Sequence, residues 1–219
     1  MKKEFFKTHD GSYTLFLPQM NETYHSKFGA VNEAVHVFIQ AGFLQLKKPK
    51  VKILEIGFGT GLNVFLTLKK FLTQKNINEV FFQSLEKFPL DTEIISKLNY
   101  HTNEKEKELF NRIHRVEWNK EIQITEGFFL QKQQADLLGF NAETSFDLVY
   151  FDAFAPDKQP ELWTVDVFRN MYKHLNPEGI LVTYSAKGQV RRNMIEAGFT
   201  VERIPGPPGK REMLRAIKK

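Results

Sequence analysis

The chain has 219 residues, 42% of them apolar, no cysteine and a formal net charge of +5. Its length suits one α/β domain with a small addition, and the missing thiols exclude disulfides, thiolate nucleophiles and zinc–thiolate sites, a usage that fits a reducing cytoplasm. No apolar run reaches the roughly 18 residues of a membrane span, and the lysines of "MKKEFFKTHDGSY" have no long apolar core behind them, so neither a membrane segment nor a signal peptide is expected.

In chain order, "EFFKTHDGSYTLFLP" predicts a hairpin whose turn uses the positive-φ tolerance of Gly11. "KFGAVNEAVHVFIQAGFLQL" puts Val31, Ala34, Val35, Phe38, Ala41 and Leu44 on one stripe, which predicts a helix over roughly 27–46. These elements make residues 1–46 an N-terminal hairpin-and-helix extension ahead of a main domain over 47–219. That domain opens with a strand, a glycine turn and a helix in "KPKVKILEIGFGTGLNVFLTLKKFLTQ". A second strand, "EVFFQSLEKFP", a polar helical region over about 91–119 and a third strand segment in "ITEGFFLQKQQADLL" follow. Then come the strand "SFDLVYFDAF", the helix "ELWTVDVFRNMYKHL", the strand "GILVTYS", the short helix "KGQVRRNMIEAGF" and two closing strands, "TVERIPG" and "REMLRAIKK", joined through "GPPG". The alternation predicts a mainly parallel sheet of seven strands with helices on both faces; the last pair, joined by a short turn, must be antiparallel.

"LEIGFGTGLN" is built for close approach of a ligand to backbone. Gly57 allows the tight turn, Gly59 removes a side chain where a ligand must lie, and Gly61 opens the helix. The dinucleotide fingerprint needs glycine at 62, where Leu62 stands, and the Gly-Lys-Ser/Thr of a P-loop is absent. An acid on the strand, Glu55, followed by Gly-x-Gly-x-Gly is similar to the first motif of class I methyltransferases that bind S-adenosylmethionine. Glu86 ends the next strand 25 residues past Gly61, where a carboxylate can accept from both ribose hydroxyls of a nucleoside. Asn63, Lys87 and Asp136 complete the cofactor candidates, Asp136 as acceptor for the adenine amino group. In "YFDAFAPDKQPELWT" an apolar strand ends on Asp152, and open α/β sheets bind ligands beyond the carboxyl ends of their strands. Asp152 is therefore expected at the methionine end of the cofactor, and it is the candidate catalytic residue.

"EIGFGTGLN", "SLEKFPL", "YFDAFAPDKQPELWT" and "GQVRRNMIEAGFTVERIPGPPGKREML", with "YHSKFGAVNEAVHVF", resemble the methyltransferase half of the tRNA 5-methylaminomethyl-2-thiouridine biosynthesis enzymes (MnmC-type), over most of residues 10–217. The resemblance implies a Rossmann-like class I fold, S-adenosyl-L-methionine as cofactor, and methyl transfer to the exocyclic aminomethyl nitrogen of a wobble uridine. It implies the anticodon region of tRNA as partner. Larger members carry a second, FAD-dependent oxidase domain; this chain is too short to hold it, so it resembles the single-domain form, whose aminomethyl substrate comes from a separate enzyme. The family's third motif usually has a Gly-Asp pair, and here it reads "QQADLL".

Substrate contacts follow from chemistry. Phe154 or Trp163 is expected to stack on the uracil, with Pro156 shaping the loop between them. Lys158, Arg191, Arg192, Lys210 and Arg211 are candidates for phosphate contacts, because from Lys187 to Lys219 nine Lys or Arg face three Glu, and such a basic end suits nucleic acid. Tyr24, His25 and Glu33, on or just before the first helix, are expected to close over the methionine end. His25 and His36 would lie about 16 Å apart on that helix, too far to share a metal, and no metal site is expected. Fold alone leaves open a small amine or a protein as acceptor, aminopropyl transfer, or a non-catalytic tRNA-binding module.

Overall fold

In the computed structural model, which describes residues 2–219, β1 (Glu4–Lys7), β2 (Tyr13–Leu17) and β3 (Glu22–Thr23) form a small antiparallel sheet of their own. The turn between β1 and β2 is organised by Asp10, whose carboxylate accepts from Ser12 N at 3.0 Å. The same carboxylate accepts from Asn32 N at 3.0 Å, in the first turn of α1 (Ala30–Ala34), so one side chain ties the hairpin to the helix. After Ala34 the helix widens into a π-turn over Val35–Gln40 and closes with a short 3₁₀ turn over Phe43–Gln45. A π-turn adds a residue to the helical register. The expected stripe is therefore rotated: Ala34, Phe38 and Ala41 are buried as predicted, Val37 and Ile39 join them, and Leu44 is exposed.

The rest of the chain builds the main sheet. Its elements are β4 (Lys50–Ile56), α2 (Leu62–Phe71), β5 (Glu79–Glu86), α3 (Thr92–Ile95), α4 (Glu104–Arg115), β6 (Glu121–Thr125), β7 (Phe128–Gln134), β8 (Phe146–Phe151), α5 (Val165–His174), β9 (Leu175–Thr183), α6 (Gly188–Glu196), β10 (Thr200–Pro205) and β11 (Glu212–Ile217). The strand order is β10-β11-β9-β8-β4-β5-β7-β6, eight strands where seven were expected. The extra strand is β6: "EIQITEGFFLQKQQ" folds back on itself at Gly127, φ +73°, to pair β6 antiparallel with β7. The neighbours β9, β8, β4, β5 and β7 all run parallel, and β11 and β10 close the other edge antiparallel, as the short turn between them requires. The polar region predicted as one helix is two, α3 and α4.

The central strands are apolar throughout because both faces are covered. Every residue of β8 is buried; Leu148 and Tyr150 pack with Phe38, Phe65 and Phe110, while Val149 and Phe151 pack with Phe168, Met171 and Met194 on the opposite face. From β4 the chain moves outward to β5 and β7, then returns to the other side of β4 as β8. The crevice beyond the carboxyl ends of β4 and β8 is thus the topological switch point, where such sheets bind ligands.

One buried cation stands directly behind that crevice. Lys132, on β7 and 1% exposed, donates from Nζ to His114 O at 2.7 Å, at the C-terminal end of α4. Its ammonium lies 4.8 Å from the Trp118 ring centroid and 5.5 Å from that of Phe58, the residue between Gly57 and Gly59. A cation suits both a helix C-terminus and aromatic faces, so Lys132 braces the glycine turn from beneath. Burial pushes its pKa down to about 8. Lys132→Ala is expected to lower the unfolding free energy by about 2–4 kcal/mol in urea denaturation, through the cavity and the unpaired helix-end carbonyl it leaves; Lys132→Met, which keeps the stem, should lose less.

Candidate cofactor and substrate site

The switch-point crevice is a cavity of about 790 Å³. Its floor is the glycine turn. Gly57 N and Phe58 N both donate to Leu85 O at 3.0 Å, which fastens the turn to β5. Gly57 has φ +95°, and a Cβ there would stand 2.8 Å from Asp152 O; Gly59 has φ +50°, and a Cβ there would stand 3.3 Å from the Tyr24 ring. Glycine is required at 57 by conformation and by closeness alike. Gly61, φ +71°, sits at the start of α2 and faces His114 and Phe58 instead of the cavity.

Glu86, at the end of β5, lines the cavity and accepts from Gly59 N at 2.9 Å and from Phe88 N at 2.8 Å. Lys87 and Asp136 also line it, but as a pair: Lys87 Nζ lies 2.7 Å from Asp136 Oδ2, while Asp136 Oδ1 accepts from Leu138 N at 3.1 Å. The hydrogen bond from Lys87 and that from Leu138 hold the Asp136 carboxyl below its usual range. Phe88 and Leu138 stand exposed beside this pair, Phe88 at 63%, and give the far end of the cavity an apolar rim.

Asp152 follows β8 directly. Its backbone N donates to Ile56 O at 3.1 Å, which sets it beside the glycine turn, and its carboxylate accepts from Asn63 Nδ2 at 2.8 Å. Burial, then the like charge of Glu33, pushes its pKa up to about 7, against the opposing effects of Asn63 and Lys210. Glu33 lines the cavity from α1, held by Ser26 N at 2.8 Å. Tyr24 and Phe154 meet edge to face at 5.1 Å between centroids and form an aromatic wall. Burial, with the Glu86 charge, raises the Tyr24 hydroxyl above its usual range.

Several expected contacts lie elsewhere. Glu55 does not reach the cavity: it is wholly buried behind the site and receives Ser84 Oγ, and burial drives its pKa well above its usual value. Trp163 cannot stack on a base. It is 3% exposed in the core against Phe151 and Phe168, and its Nε1 donates to Phe154 O at 2.9 Å. His25 lines the cavity with its ring held at 3.0 Å from Thr14 Oγ1 and 3.4 Å from Thr60 Oγ1; burial lowers its pKa to about 4, so it stays neutral. Pro156 and Arg211 line a second, smaller groove that shares Ala155, Tyr184 and Lys210 with the main cavity. Arg191 and Arg192 lie on α6 and Lys158 on the exposed loop, outside both grooves. Among the described residues, no three His, Asp or Glu side chains converge as metal ligands.

Two residues escaped the sequence reading. Tyr184 lines the cavity just past β9, donates to Ala153 O at 2.8 Å and carries the Lys210 ammonium 4.1 Å above its ring. Gln159 Oε1 accepts from Phe154 N at 3.1 Å. With Trp163 they fix the loop after Asp152. The strand-end rule that found Asp152 applies equally to Tyr184, one strand over.

The residues fit S-adenosylmethionine. Asn63 lines the cavity and holds the Asp152 carboxylate at its edge. The acids Glu33, Glu86 and Asp152 suit a cationic, hydroxyl-bearing molecule, and the bare backbone at Gly57 and Gly59 lets it lie close. The fold and this site define a class I S-adenosylmethionine-dependent methyltransferase. The comparisons agree: residues 111–219 match the family model for S-adenosyl-L-methionine-dependent methyltransferases. More particularly, it is similar to the tRNA 5-methylaminomethyl-2-thiouridine biosynthesis bifunctional proteins MnmC. It is 30% identical to that of Burkholderia multivorans, covering 92% of this chain and 33% of the relative, and 34% identical to that of Leptospira borgpetersenii, covering 90% and 32%. The chain thus spans about a third of the length of these curated relatives. The crystal structure of MnmC2 from Aquifex aeolicus superposes with a TM-score of 0.81 at 28% identity, over 98% of this chain and 70% of that one. A spermidine synthase from Thermotoga maritima, TM-score 0.60 at 15% identity over 99% of this chain and 68% of that one, shares the fold.

Gly57→Ala is expected to weaken S-adenosylmethionine binding about 5- to 150-fold by calorimetry, since keeping the turn the ligand lies on would cost roughly 1–3 kcal/mol through the strained φ and the contact with Asp152 O.

Proposed function

We propose that this protein methylates the aminomethyl nitrogen at position 5 of a wobble (2-thio)uridine in tRNA, giving 5-methylaminomethyl-uridine. The observation that carries the reading is Asp152, a carboxyl with a pKa near 7 set beside the glycine turn, in a chain similar to the MnmC proteins over nine-tenths of its length. Gly57, Gly59, Asn63 and Glu86 would hold S-adenosylmethionine, with the Asp136–Lys87 pair and the Phe88–Leu138 rim at its far end. Bound there, the cofactor supplies a methyl group on a sulfonium cation.

The chain's own task is the acceptor. An alkyl amine is mostly protonated near neutral pH and has no lone pair until it loses a proton. Asp152 accepts that proton: a group with a pKa near the working pH is both available as a base and able to release what it takes. Once that proton has passed on to solvent, the carboxylate orients the free amine and stabilises the positive charge the nitrogen gains as its new bond to the methyl carbon forms and the carbon–sulfur bond breaks. Tyr24 and Phe154 offer the uracil an aromatic wall, a contact on the order of 1–3 kcal/mol. Lys187 and Arg211 line the outer groove, where phosphates flanking the nucleoside would run, with Arg191, Arg192 and Lys158 as outlying basic contacts. The aminomethyl group would come from a separate upstream activity, and the reaction would take place in the cytoplasm with tRNA.

Labelled S-adenosylmethionine and tRNA carrying aminomethyl-uridine should yield a nucleoside heavier by one methyl group in mass spectrometry; intact cofactor binding without transfer would overturn the acceptor. The rate should rise with pH through a limb near 7 as Asp152 loses its proton. Asp152→Asn should remove that limb and lower kcat roughly 10²–10³-fold, while cofactor affinity falls far less.

A further inference from the structure

Lys210, expected on a tRNA phosphate, is turned inward. Its Nζ lies 2.7 Å from Glu33 Oε1 and 4.1 Å from the Tyr184 ring centroid, and all three residues line the cavity that holds Asp152. The turn that carries it, between β10 and β11, is fastened to the N-terminal segment a second time: His36 Nε2 donates to Pro205 O at 2.8 Å. An ammonium engaged by a carboxylate and an aromatic face, on a tied-down turn, would forfeit both contacts to reach a phosphate outside. Arg211, the next residue, is exposed and lines the outer groove.

We propose that Lys210 is a positioning residue of the methyl transfer: it is the built-in counter-cation of Glu33, and so keeps the Asp152 carboxylate chargeable beside the reacting amine. This rests on the function proposed above. Asn63 from α2 donates to Asp152; Glu33 from α1, Tyr184 past β9 and Lys210 from the β10–β11 turn line the same cavity, and Glu55 of β4 lies behind it. Among them Lys210 alone is cationic. Glu33 without it would be an uncompensated like charge, and Asp152 would hold its proton to higher pH. The same ammonium disfavours a second one nearby, so the substrate amine is helped toward its free base.

The test is a ¹³C carboxyl titration of the whole Asp-labelled protein, with the Asp152 signal assigned by its loss in Asp152→Asn. Lys210→Met should move the Asp152 titration to higher pH, Glu33→Gln to lower pH, and the double variant back toward wild type; Lys210→Arg should restore it. The acid limb of kcat on aminomethyl-uridine tRNA should follow the same order, with the salt slope of the tRNA KM unchanged in Lys210→Met. An unmoved Asp152 titration, with a salt slope reduced by about one, would make Lys210 a phosphate contact and overturn the proposal. The titration needs no methyl transfer, so a wrong acceptor and a wrong role for Lys210 give different results.

Discussion

The hydrogen bond from Asp152 N to Ile56 O, the last rung between β8 and β4, is the constraint on which the site depends. It brings two loops that are far apart in sequence to the same place. One must be bare, so that a ligand can lie on backbone; the other must carry a carboxyl. Gly57 serves both needs, since any Cβ there would push against the carbonyl of Asp152 itself. The parallel pairing of β4 with β8 is in turn held by two apolar layers, and β8 has no residue that could face water without opening one of them.

Around that rung the molecule gathers more acid than an interior normally holds. Glu55 is sealed from solvent and receives Ser84 Oγ, and burial favours its neutral form. Glu86 is satisfied by two backbone N–H groups, and Glu33 by a backbone N–H and an ammonium. Asp152 has a single side-chain donor, Asn63. It is the least satisfied of these carboxyls that face the cavity, and therefore the one whose proton is most easily exchanged with a guest. Buried carboxyls adjust by neutralising when their hydrogen bonds do not suffice.

What the sequence disclosed, and what it hid, follows the same physics. Strand-end acids and glycines at a turn were legible because few residues tolerate those places, and so Asp152, Glu86, Gly57 and Gly59 could be placed before the fold was seen. Aromatic residues were not: Phe154 faces the cavity and Trp163 the core, nine residues apart, and only tertiary packing distinguishes them. Glu55 looked like a ligand because an acid ahead of Gly-x-Gly-x-Gly is similar to a cofactor-binding motif, but the fold buries it against Ser84, outside the cavity. β6 was missed because a five-residue strand before a glycine turn merges with the strand after it. Lys210 and Arg211, adjacent in sequence, point to different compartments, which no charge count could reveal.

The π-turn at Val35–Gln40 has a consequence for which changes this segment can tolerate. Just before it, Glu33 faces the cavity; within it, Val37, Phe38 and Ile39 are buried in the core. The widened turn is the angular offset that lets one short helix serve both surfaces. Point substitutions within it alter a contact, but loss or gain of a single residue rotates everything on one side by roughly 100°, the angle per residue at 3.6 residues per turn. The segment is therefore far more sensitive to length than to composition, and its residue count is as much a part of the site as its carboxylate.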